Sequence, residues 1–132
     1  MNRLSVRGKC LFSGQCKYFV RGVTYGTFRP GQHGEYGSRE KVRTDFSLMQ
    51  AAGLNAVRTY TVPPIWLLDI ADEYRLRVMV GLPWEQHIAF LDSTRRAAAI
   101  EAQVRSSARS CAGHPALLAF TIGNEIPAPI VR

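Results

Sequence analysis

Hydrophobic positions along the chain change period several times, and each change marks an element. Leu4, Val6 and the pair Leu11-Phe12 alternate around Gly8, and Ser13-Gly14-Gln15 follows as a turn, which predicts a short β-hairpin running into a strand at Tyr18-Phe19-Val20-Arg21-Gly22-Val23. The period then becomes helical: Ser38 is a helix cap, Val42, Phe46 and Met49 fall at i, i+4 and i+7, and Gly53 ends the run. A second strand is predicted over Leu54-Asn55-Ala56-Val57-Arg58-Thr59-Tyr60. Pro63-Pro64 opens a second helix with Leu67, Leu68, Ala71 and Tyr74 on one face, since the first helical N–H groups lack partners anyway. Leu76–Leu82 reads as strand three, and a long helix over about Ser93–Ala112 carries the stripe Ala97, Ile100, Val104, Ala108, Cys111 before Gly113-His114-Pro115. Strand four is Ala116–Gly123.

Strands three and four are nearly continuous apolar runs, as parallel strands covered on both faces are, and their alternation with helices implies right-handed βαβ units. Four strands with three intervening helices fit either a small open α/β sheet or part of a larger barrel. A complete eight-fold barrel takes ~250 residues, so the expected fold is the N-terminal half of a TIM (β/α)8 barrel preceded by a short β-hairpin, divided as 1–16 for the hairpin and 17–132 for the barrel strands one to four. The parallel order 1-2-3-4 with helices on one face is the corresponding topology. The end at Ile130-Val131-Arg132 without a capping helix reads as truncation.

Composition narrows the class. With 46% hydrophobic and 20% charged residues the chain has ordinary globular usage. No apolar stretch approaches the ~20 residues of a membrane span, and no secretory signal is visible at Met1-Asn2-Arg3-Leu4, so localisation stays undefined. Seventeen Lys and Arg against ten Asp and Glu give a net charge of +7, but the basic residues are spread over the whole chain and accompany no nucleic-acid module, which speaks against a nucleic-acid partner. Cys10, Cys16 and Cys111 lack C-x-x-C spacing and read as free thiols, a Cys10–Cys16 bridge being the alternative in an exported protein. His33, His87 and His114 lack ligand spacing, so no metal or cofactor is expected.

The chemistry concentrates in Gly123-Asn124-Glu125, at the end of a buried strand. In parallel α/β folds reactive groups collect at the carboxyl ends of strands, where loops vary on a rigid scaffold. A carboxylate there can protonate a leaving oxygen, and an adjacent amide suits a sugar hydroxyl. Arg58, on a strand, needs a charged partner or a site to serve. Trp84 offers a flat apolar face, His87 a titratable ring beside it, and Tyr25 ends strand one within reach of the same cleft.

The stretch Gly113-His114-Pro115-Ala116-Leu117-Leu118-Ala119-Phe120-Thr121-Ile122-Gly123-Asn124-Glu125 resembles the His-Pro, apolar strand, Gly-Asn-Glu segment of the large glycoside hydrolase clan that includes family 2, the β-galactosidase and β-glucuronidase group. Phe19–Tyr25 is similar to that family's first barrel strand, Gly53–Thr59 to its second, and Leu68–Tyr74 to the helix before its third, so the resemblance covers about residues 17 to 127. It implies a retaining hydrolysis in which Glu125 is general acid and then base. Asn124 would bind the sugar 2-hydroxyl, and Arg58 would hold the charge of a nucleophilic Glu at the end of a seventh strand, beyond Arg132. The implied partner is a β-linked oligo- or polysaccharide. Pro83-Trp84-Glu85-Gln86-His87 and Thr61-Val62-Pro63-Pro64 depart from the family pattern. With Gly123–Pro127 they look more like the glycosidase-like domains that bacteria fuse to a family 2 glycosyltransferase, which leaves transglycosylation or sugar binding without catalysis as the alternative. Unpaired barrel edges imply self-association of the chain alone.

Overall fold

A computed structural model describes residues 3–32, 34–90 and 92–130. His33 and the first two residues of the N-terminus, both considered above, lie outside the described residues. Three short strands, β1 (Leu4–Arg7), β2 (Cys10–Ser13) and β3 (Cys16–Tyr18), form an antiparallel sheet in the order β1-β2-β3. Arg7 pairs with Cys10 and Ser13 with Cys16, so Gly8-Lys9 and Gly14-Gln15 are two-residue loops, and both glycines hold the positive φ that such loops require. Cys16 faces Ser13, displaced along the strand from Cys10, and all three cysteines are free.

The remainder alternates: β4 (Gly22–Thr24), α1 (Arg39–Ala51), β5 (Ala56–Thr59), α2 (Ile65–Glu73), β6 (Arg77–Leu82), α3 (Thr94–Cys111) and β7 (Leu117–Ile122), with a closing 3-10 turn at Ala128–Ile130. The four later strands are all parallel, in the order β4-β5-β6-β7. This is the strand order of the first half of a (β/α)8 barrel. The predicted hairpin proves to be a three-stranded sheet, because the backbone of Cys16–Tyr18 turns back onto β2 instead of opening the barrel. The first barrel strand is correspondingly short. Its pairing with β5 begins at Arg21, whose carbonyl accepts from Asn55 and Ala56, and ends at Tyr25, whose amide donates to Arg58.

Caps and stripes explain the helices. The Ser38 hydroxyl accepts from the Lys41 amide and the Ser93 hydroxyl from the Arg96 amide, each satisfying a donor that the first turn leaves free. Val42 and Phe46 of α1 and Leu67, Leu68, Ile70 and Ala71 of α2 are buried with Val57, Val78 and Val80 of the sheet. Strand side chains alternate between faces, so Arg58 and Met79 point away from that core. There, with Val20 and Leu118, they line an open hollow of about 410 Å3.

Tyr25, expected to end strand one, lies one residue beyond β4; it is 4% exposed and belongs to the core on the α1 side. It packs edge-on against Phe28 and Phe46, and its hydroxyl donates to Asp45 at 2.7 Å. Burial, then the Asp45 bond, push its phenol well above the ordinary tyrosine value. Burial alone would raise the Asp45 carboxyl too, but the bonds from Lys41 and Tyr25 outweigh it and hold that carboxyl low. Asn55 stitches the lead-in segment to β5: its Oδ1 accepts from the Arg21 amide and its Nδ2 donates to the Phe19 carbonyl, both at 2.8 Å.

Two outcomes follow. Asn55→Ala removes both bonds and should cost about 1–2 kcal/mol in urea unfolding. Tyr25 is neutral in the folded chain at pH values where the unfolded chain already ionises, so its contribution is complete below about pH 10 and declines above it. The stability advantage of the wild type over Tyr25→Phe should therefore shrink as denaturation is measured at increasing pH above about 10.

Candidate functional site

In four parallel strands every carboxyl end lies on one edge of the sheet, and there the ends of β5, β6 and β7 enclose a cleft of about 260 Å3. Arg58 and Tyr60 come from the end of β5, Gly81, Trp84 and Gln86 from β6 and its loop, and Gly123 and Asn124 from the end of β7. Gly81 has no room for a side chain, because a Cβ there would run into the carbonyls of Thr59 and Tyr60; its bareness lets the loop ends come together.

Arg58 crosses the mouth and donates from Nη2 to Asn124 Oδ1 at 2.8 Å, while its guanidinium lies 4.9 Å from the centre of the Tyr60 ring. Gln86 grips the backbone of the same residue: Oε1 accepts from the Asn124 amide at 2.7 Å and Nε2 donates to the Asn124 carbonyl. Arg58 Nε and Trp84 Nε1 are buried in the cleft wall without a partner among the described residues.

The turn itself is strained. Gly123 has φ +85°, and a Cβ there would sit 2.5 Å from Ile126 Cδ1. Glu125 has φ +52°, a left-handed conformation that costs an L-residue roughly 1–2 kcal/mol. Its side chain is exposed beside Asn124, and such strain gathers at functional turns.

Of the residues predicted for the site, Arg58, Trp84 and Asn124 meet at the cleft, whereas Glu125, next to Asn124 in the chain, is exposed and outside its lining. Trp84 is half-buried and packs edge-on against Phe90, with ring centroids 4.9 Å apart. His87 is exposed and not part of the cleft wall; its Nε2 lies 3.5 Å from Gln86 Nε2. Tyr25 is buried away from the cleft, because one residue more along β4 turns the side chain to the helix face. Gln86, Tyr60 and Gly81 were not singled out by sequence. Gln86 stands 38 residues from Asn124, and no spacing rule joins them. Among the described residues no group of His, Cys, Asp and Glu is arranged to hold a metal ion, and no helix is long and apolar enough to cross a membrane.

No protein-family model matches the chain, and no curated protein matches it in sequence. Solved structures do match its fold. The structure of ScGas2 in complex with compound 6 superposes with a TM-score of 0.71 at 18% identity, over 95% of this chain and 31% of that one. Saccharomyces cerevisiae Gas2p in complex with laminaripentaose gives 0.66 at 16% identity, over 90% of this chain and 30% of that one. A β-glucuronidase from Ruminococcus gnavus, in complex with a C6-substituted uronic isofagomine, gives 0.68 at 15% identity, over 92% and 21%. The likeness is one of fold: the chain shares the alternating strand–helix arrangement of part of these proteins and spans about a third or less of their length.

The strain at Glu125 predicts that Glu125→Gly folds more stably than Glu125→Ala by about 1 kcal/mol, since both lack the carboxylate and only glycine relieves the left-handed backbone. Urea unfolding of the two variants checks this, and equal stabilities would mean the turn relaxes freely.

Proposed function

We propose that this chain is the acid/base-bearing part of a retaining glycoside hydrolase barrel acting on a β-linked oligo- or polysaccharide, akin to the family 2 group that its sequence resembles. The observation that carries the reading is the Asn124-Glu125 turn at the mouth of the strands, held by the bond from Arg58 to Asn124. Two matched structures support it: one protein is a β-glucuronidase and the other holds laminaripentaose, a β-linked glucose oligosaccharide.

In this reading Glu125 protonates the leaving oxygen and then takes a proton from the attacking water. Asn124 engages the 2-hydroxyl of the sugar. The N–H groups of Arg58 and Trp84 that face the cleft would donate to oxygens of a second carboxylate or of the sugar. Tyr60, 43% exposed at the cleft, adds an aromatic surface beside Trp84.

One observation favours a second reading. No Asp or Glu among the described residues lines the cleft, so by itself it offers a sugar a binding wall without a nucleophile. That suits a carbohydrate-binding or transglycosylating domain attached to a polysaccharide-synthesising glycosyltransferase.

A retaining mechanism needs two carboxyl groups ~5–5.5 Å apart. The 132-residue chain alone should therefore leave an aryl β-glycoside unhydrolysed. With the hollow on its barrel face open, it should also run larger than a monomer in light scattering. In a longer protein carrying this segment, Glu125→Gln should slow substrates with poor leaving groups by about 10²–10⁴-fold. Activated glycosides should still form the covalent intermediate, and azide should release it from Glu125→Ala as the β-glycosyl azide. Equal losses for good and poor leaving groups, without azide rescue, would remove Glu125 from the chemistry and favour the binding reading.

A further inference from the structure

The amide of Gln86 closes a two-point ring with the backbone of Asn124, and nothing in the proposed chemistry uses it. Its Oε1 takes the Asn124 amide at 2.7 Å and its Nε2 gives to the Asn124 carbonyl. Those two groups belong to the peptide units on either side of Asn124, so both planes are pinned at once. The φ of Glu125 is the rotation about the N–Cα bond that leaves the second plane. Arg58 pins the side chain between them at 2.8 Å. Downstream, Ile126 is folded back against Gly123 and precedes Pro127, which restricts its own backbone to extended conformations.

A left-handed glutamate persists only where its surroundings over-determine it, and one hydrogen bond of about 1 kcal/mol does not suffice. The ring supplies the excess. Its base is firm: Gln103 of α3 donates to the Pro83 carbonyl at 3.0 Å, Arg96 of α3 donates to the Ala89 carbonyl at 2.6 Å, and the backbone N–H of Gln86 donates to the Trp84 carbonyl at 2.8 Å. The β6–α3 loop is therefore fastened to a helix on both sides of Gln86.

We infer that Gln86 is the positioning residue of the site: through the Asn124 backbone it locks Glu125 in the left-handed conformation that sets where its carboxylate stands. The catalytic weight of this assignment rests on Glu125 being the acid and base, whereas the locking itself does not. Were Gln86 only a fastener of its own loop, its loss would cost stability without changing what the backbone at 125 prefers.

A double-mutant cycle on the full 132-residue chain separates the two cases. The quantity read is the ratio of folding constants of Glu125→Gly to Glu125→Ala in urea, which cancels the carboxylate. With Gln86 present the ratio should be about fivefold, the equivalent of about 1 kcal/mol. With Gln86→Ala it should fall below about twofold, because the released turn carries Ala without strain. An unchanged ratio overturns the proposal. Gln86→Glu is the second variant, for the case in which Gln86→Ala does not fold. It keeps the acceptor and the shape but has no donor for the Asn124 carbonyl while ionised. The ratio should be small near neutral pH and rise again below ~4, where a glutamic acid is protonated and donates. A ratio independent of pH in that variant likewise overturns the proposal. Because the cycle reads backbone strain and not turnover, its failure is distinct from the failure of the glycosidase reading, which the leaving-group test on Glu125 decides.

Discussion

Parallel pairing is the constraint from which the rest of this structure follows. Once β4, β5, β6 and β7 run the same way, each return must pass over a face of the sheet as a helix, and every carboxyl end must finish on the same edge. The helices bury Val57, Val78 and Val80 beneath Phe46, Leu67 and Leu68. The consequence at the other edge is the cleft, where residues distant in sequence, Arg58, Gln86 and Asn124, come within hydrogen-bond distance. A site of this kind is assembled by the scaffold, which is why the apolar runs that specify the strands also specify where the chemistry collects.

The two faces of the sheet carry different chemistry. On the helix side two phenols are tied off: Tyr25 is neutral and bonded to Asp45, which Lys41 holds charged, and the Tyr36 hydroxyl bonds to Thr61. On the barrel side Arg58 and Met79 border an open hollow with Val20 and Leu118. A guanidinium on that face is supported by one side-chain oxygen and one aromatic ring, with its Nε without a partner among the described residues.

The strands and helices were legible because their periods are strong: Val42 and Phe46 on α1, the run of β6, and the stripe ending in Cys111 all occupy the faces that spacing implies. Gly123-Asn124-Glu125 was legible because a strand end followed by an amide and a carboxylate is a local pattern. What sequence could not convey was pairing. Cys16–Tyr18 has the composition of a strand but joins β2, and only hydrogen-bond register distinguishes that from the start of a barrel. Tyr25 was misplaced by a single step of alternation, since the first barrel strand ends one residue before it and its ring turns to α1. Gln86 lay within a segment that matched no pattern, and its partner is 38 residues away.

Strain at Glu125 has meaning only in relation to these tertiary bonds. A left-handed residue in a free loop would relax within nanoseconds, and a carboxylate on it would sample many positions, each conformer diluting the productive one. Here the neighbouring peptide planes are held from a loop that α3 anchors, so the cost of order is met during folding and not at each encounter with a ligand. A turn outside the core is also where such a cost does least harm, because the buried contacts of α1, α2 and the sheet do not depend on it. The segment therefore combines a stable half, covered by helices, with a strained edge to which Arg58 and Gln86 are bonded through Asn124.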